Sequence, residues 1–192
     1  MNNIYIKILD SIILDELTDE QYEIYLYGIE CLCNELIANL ILLIIGIFIH
    51  HVYEILVWSF TFVLLRTNIG GYHLHTHRSC VIISTLLGIT SPLVNNFFGN
   101  LSLVYIIVIL LCVLIVIFKI APVVHPNHPI STKRINYLHK RSMFISTFIC
   151  ACTVLLRYSY PSFSYAIYTA TIEAVILCIM GYFSYTLKNL HK

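Results

Sequence analysis

Two residue types capable of covalent chemistry lie close together in one short stretch. The segment Arg66-Thr-Asn-Ile-Gly-Gly-Tyr-His-Leu-His-Thr-His-Arg-Ser-Cys80 holds three histidines and two arginines, with a cysteine at its end. Cys80 stands where an apolar run begins, so it falls at the start of an expected helix. A helix N-terminus and nearby cations both favour the thiolate, which is the nucleophilic form of cysteine. A histidine within hydrogen-bond reach would complete the minimum parts of a cysteine nucleophile. Three readings of Cys80 stay open on these features: a nucleophile, a small packing residue, and a metal ligand with His73, His75 and His77. The histidine spacing matches no common zinc pattern, but alternate residues of an extended segment share one side.

Geometry separates the candidate bases. In a regular helix His73 and Cys80 would share a face yet lie about 10.5 Å apart along the axis. The histidine side chain would also point away from the cysteine. His77, three residues before Cys80, is the easier partner within a helix. His73 can serve only if the chain bends before Cys80, and Gly70-Gly71 permits unusual backbone angles just upstream. Asn68 is near in sequence as an orienting group, with its direction unknown.

The elements that must position this segment are membrane helices. Of the 192 residues 59% are hydrophobic and 11% charged, and mean hydropathy is +0.85. An ordinary soluble domain carries about 25% charge, so a soluble or disordered chain is excluded. Six apolar runs cover about 31–49, 52–65, 81–98, 101–118, 143–160 and 164–187. At about 20 residues per span they leave roughly 70 for everything else. The expected fold is all-α: a single polytopic membrane domain over 1–192, with about six transmembrane helices and an N-terminal amphipathic helix. Residues 1–30 form a cytoplasmic or interfacial segment and 31–187 the six-span core. Ile4, Tyr5, Ile8, Leu9, Ile12, Ile13 and Leu17 make the amphipathic stripe. Thr18 and Gln21 form a capping-box pattern from which a helix should run into the first span. Pro92 makes a kink plausible in the third run.

Charge sets the expected orientation. With the N-terminus in the cytoplasm, ten of the eleven Lys and Arg residues face inward and Arg157 alone faces out. Both termini are then cytoplasmic, and the histidines, prolines and basic residues of 66–80 and 119–142 gather at the cytoplasmic face. A net charge of +1 gives no footprint for nucleic acid. Six of the seven cysteines lie in apolar runs, where they read as packing residues rather than a disulfide framework.

Arg66, Gly-Gly-Tyr-His73 and Cys80 together resemble the signature of the accessory gene regulator B (AgrB) family. Weaker similarity follows in Tyr27-Gly-Ile-Glu30, in Ala121-Pro122 with His128-Pro129, and in Ile172-Glu173-Ala174. The resemblance runs nearly the whole chain in length, order and hydropathy. It implies a bacterial cell-membrane cysteine endopeptidase that trims the precursor of a cyclic autoinducing peptide (an AgrD-like substrate). It also implies a homodimer in the lipid bilayer, with no metal and no cofactor. It selects His73 rather than His77 as the base, with Cys80 as nucleophile, and so implies a bend between them. His75 and His77 then become bystanders. Arg66 and Gly71, with Glu30 and Glu173, are candidates for supporting the oxyanion or the substrate. Glu173, an ionisable group in an apolar run, reads equally as a functional or a helix-pairing residue. The rival function is a small membrane transporter or metal-binding membrane protein using His73, His75 and His77.

Overall fold

The computed structural model describes residues 6–7, 10–11, 18–72, 77–93, 101–124 and 130–190. The described residues include six long helices: α1 (Asp19–Phe48), α2 (Val52–Ile69), α3 (His77–Leu93), α4 (Leu103–Ile120), α5 (Thr132–Ser159) and α6 (Pro161–Leu190). Five of them are long and apolar enough to cross a membrane, and the apolar part of α3, Ser79–Leu93, is shorter. The expected all-α membrane architecture is therefore present.

The capping box forms as expected. Gln21 N–H donates to the Thr18 hydroxyl at 3.4 Å, and Thr18 N–H donates to the Gln21 side chain at 3.2 Å. From that cap α1 runs unbroken through the first apolar run. All seven residues of the amphipathic stripe over 4–17 lie outside the described residues, though Tyr22 donates a hydrogen bond to Asp10 of that stretch at 3.2 Å. Helix α2 continues past Arg66 to Ile69. Pro92 lies inside the described α3, one residue before its last described position.

One expectation needs correction. Residues 119–142 read as a long basic connection, yet α5 already begins at Thr132, capped by the Ser131 hydroxyl, which accepts from Arg134 N–H. Lys133, Arg134, Lys140 and Arg141 are therefore helical residues. Their side chains are exposed, so polarity interrupted the apolar pattern without interrupting the helix.

Helices α2 and α6 form the tightest pair at the centre. Ala166, Ala170, Ala174 and Cys178 recur every four residues of α6, and all are fully buried. Small residues on one face let helix backbones approach closely, which drives association where lipid removes the hydrophobic incentive. Trp58, Phe62, Leu65 and Ile69 of α2 join the same core. Helices α1 and α3 pair on one side, while α4 and α5 pair on the other. Two of the buried hydroxyls are satisfied within their own helices: Thr61 and Thr171 donate to the carbonyls of Val57 and Ile167 four residues back. Large apolar side chains such as Phe48, Phe60, Phe144 and Leu155 point outward, as a lipid-facing surface requires.

Candidate functional site

The site is built where α2 ends. Gly70 and Gly71 both have positive φ, 72° and 137°, a region that L side chains avoid. They turn the chain sharply out of α2. A Cβ on Gly71 would lie 2.0 Å from Arg66 Nη1, and one on Gly70 would lie 2.1 Å from the Val123 carbonyl oxygen. Neither position has room for a side chain.

Three elements then clamp the turn. Arg66 Nη1 donates to the Gly70 carbonyl and Nη2 to the Tyr72 carbonyl, both at 2.9 Å. The segment after α4 pairs alongside, with Val123 N–H donating to the Ile69 carbonyl at 2.9 Å. From α6 the Leu177 carbonyl accepts Tyr72 N–H at 2.8 Å. Gly181 allows that approach, since a Cβ there would meet Tyr72 N at 2.6 Å. Cys178 adds a weak thiol hydrogen bond to the Ile69 carbonyl at 3.6 Å. His139 of α5 steadies the Val123 segment by donating from Nδ1 to the Ala121 carbonyl at 2.7 Å. The chain that enters the histidine-bearing stretch is thus fixed at Tyr72 by Arg66 of α2 and Leu177 of α6, with Val123 of the segment after α4 holding Ile69 just before it.

Cys80 lies in the first turn of α3 and is half-buried. That turn holds the N–H groups a helix leaves without an internal partner. Ser84, one turn further on, hydrogen-bonds the thiol, and Arg66 and Glu35 both lie within electrostatic reach of it. The sulfur thus feels both a guanidinium and a carboxyl group. Glu35, half-buried on α1, accepts a hydrogen bond from Asn39 at 3.3 Å. Asn39 in turn accepts one from Ser59 of α2.

Of the residues expected at the site, the structure brings Arg66, Gly71 and Cys80 together. His73 and His75 lie outside the described residues, as do the side chains of His77 and Arg78. Glu30 is half-buried on α1, but Glu35 is the α1 carboxylate that acts on both Arg66 and Cys80. Sequence reasoning passed over Glu35, although a carboxylate inside an apolar run is itself a functional signal. Asn68 is buried and donates to the Leu64 carbonyl of its own helix at 2.6 Å. Glu173 lies elsewhere, bonded to Trp58 and Thr90. Thr90 is ten residues from Cys80, about 15 Å along α3.

A helical bundle with a thiol, a guanidinium and a glycine turn at one end defines a class: an all-α, polytopic membrane protein with a built polar site. The family model for accessory gene regulator B (AgrB) matches residues 3–185. The chain belongs to the AgrB family, which gives it a role in the agr quorum-sensing system. Two proteins named as AgrB-like, both from Clostridium perfringens, are similar. One, from strain SM101 (type A), is 26% identical over 180 residues, covering 89% of this chain and 84% of its own. The other, from strain 13 (type A), is 28% identical over 151 residues, covering 73% and 71%. No solved structure matches the chain.

Proposed function

We propose that the protein is a membrane-embedded cysteine endopeptidase acting on an AgrD-like propeptide. The observation that carries this reading is the position of Cys80, half-buried in the first turn of α3 and within electrostatic reach of the Arg66 that clamps the chain just before His73. His73 takes the thiol proton, and the thiolate attacks a peptide carbonyl. The C-terminal part of the precursor leaves as an amine carrying that proton, and the rest stays on Cys80 as a thioester. A Cys or Ser of the bound peptide then attacks the thioester, closes a thiolactone or lactone ring, and returns the proton to the cysteine. Family resemblance supplies this ring-closing step. Excluding water would preserve the acyl group for it.

The geometry sharpens the part played by Arg66. Two of its guanidinium donors hold backbone carbonyls of the turn, so it serves first to aim the entering chain and to supply positive charge near the thiol. The N–H groups of the first turn of α3 are then the better candidates for oxyanion donors. The active site faces the cytoplasm, with both termini inside. The enzyme works as a homodimer and uses no metal.

Co-expression with the small neighbouring open reading frame, followed by mass spectrometry, tests the proposal. Wild type and His77→Ala should release a C-terminally trimmed peptide, while Cys80→Ala and His73→Ala should not. Trimming that survives Cys80→Ala would sink the reading. Bound zinc, with equal losses in His73→Ala, His75→Ala and His77→Ala, would favour the transporter or metal-binding alternative.

A further inference from the structure

Glu173 sits within α6 among fully buried small residues, and its carboxyl group meets two other helices. Trp58 of α2 donates from Nε1 to Oε2 at 2.8 Å. Thr90 of α3 places its hydroxyl oxygen 2.6 Å from Oε1. The same hydroxyl oxygen is 2.6 Å from the Leu87 carbonyl oxygen.

A proton count decides how these contacts are made. A hydroxyl carries one proton, and a carbonyl oxygen can only accept. Thr90 must therefore donate to Leu87, because the other allocation would set two lone pairs face to face at 2.6 Å. The short contact to Glu173 then needs a proton from the carboxyl group itself. Charge points the same way. No ion pair to Glu173 exists among the described residues, and an unpaired carboxylate within the bilayer is costly.

We infer that Glu173 is a neutral carboxylic acid that donates to Thr90 and accepts from Trp58, forming a three-helix hub that positions the Cys80 helix against the Arg66 helix. Thr90 lies about 15 Å along α3 from Cys80, and Trp58 lies about 12 Å along α2 from Arg66. The hub therefore pins both helices at nearly the same depth below the site. Gly88 makes the crossing close, since a Cβ there would lie 3.0 Å from the Trp58 ring and 2.6 Å from Leu42. The chemistry assigned to Cys80 rests on the proposed function, whereas the hub itself does not.

Trp58 is the chain's single tryptophan, so its fluorescence reports on the hub directly. In full-length protein in lipid nanodiscs, Glu173→Gln should keep the Trp58 emission maximum, because an amide donates to Thr90 and accepts from Trp58 in the same way. Glu173→Leu should move the emission and lower the yield of trimmed peptide roughly tenfold, while Glu173→Gln retains most of it. The infrared difference between wild type and Glu173→Gln should show a protonated carboxylic C=O band lost. Emission in Glu173→Gln that moves as far as in Glu173→Leu, or a difference spectrum showing an ionised carboxylate, would overturn the hub. If trimming proves independent of Cys80, the proposed function fails, and the fluorescence and infrared results still decide the hub.

Discussion

At the Trp58–Glu173–Thr90 crossing, both carboxyl oxygens have a partner on another helix. At the Arg66–Cys80 end the arginine donates instead to backbone carbonyls, while the half-buried thiol is hydrogen-bonded with Ser84 and lies within electrostatic reach of Arg66 and Glu35. Both groupings set ionisable residues inside an apolar bundle. The first satisfies its groups with side chains and holds helices together. The second satisfies its arginine with the carbonyls of a glycine turn and leaves a thiol within its electrostatic reach. An ionisable residue in a membrane helix is thus not one kind of signal. What it is bonded to separates a fastening from a reactive group.

The contrast can be broken most severely at the turn. Gly71→Val would place carbon atoms where Arg66 Nη1 now lies and force a β-branched residue to a φ of 137°. The expected cost is about 3 kcal/mol or more, read as a lowered thermal midpoint in nanodiscs together with lost peptide trimming. Gly28→Ala is the control, because nothing lies within 4 Å of its would-be Cβ. It should leave both readouts unchanged.

A smaller effect is expected at Arg66. Lysine keeps the charge but cannot hold the Gly70 and Tyr72 carbonyls in one planar fork. Arg66→Lys should lower trimming by about 10- to 100-fold, corresponding to the loss of one or two charge-assisted hydrogen bonds. If Arg66→Lys trims as wild type does, charge alone is what the site requires. Smallest of the three is Glu35→Gln. Removing a carboxylate near a thiol favours thiolate, so maleimide labelling of Cys80 should speed up by a factor of about 2 to 10 at fixed pH. Labelling that slows or stays constant would separate Glu35 from the site.

Much of the bundle was legible because apolar periodicity and caps are local signals. Thr18 with Gln21 announced the start of α1, and Arg66 through Cys80 stood out by residue type as a candidate site, with the family resemblance choosing among its readings. What escaped depends on helices meeting. Glu35 reads as one more residue of the first span until α1 packs against α3. Glu173 could be read as either fastening or functional group until Trp58 and Thr90 were seen to reach it. The early start of α5 escaped for a different reason: its first turns carry exposed Lys and Arg, and a search for membrane spans reads such residues as a loop. The role of Val123 carried no sequence signal, since it contributes a backbone N–H rather than a side chain.

The central claim is that Cys80 carries the acyl group. Intact-mass spectrometry of the protein recovered from co-expression with the propeptide tests it most directly. The account predicts a fraction of wild-type protein heavier by the N-terminal portion of the peptide, attached at Cys80, released by hydroxylamine and missing from Cys80→Ala. Trimmed peptide formed by Cys80→Ala, or an adduct mapped to a different residue, would contradict it.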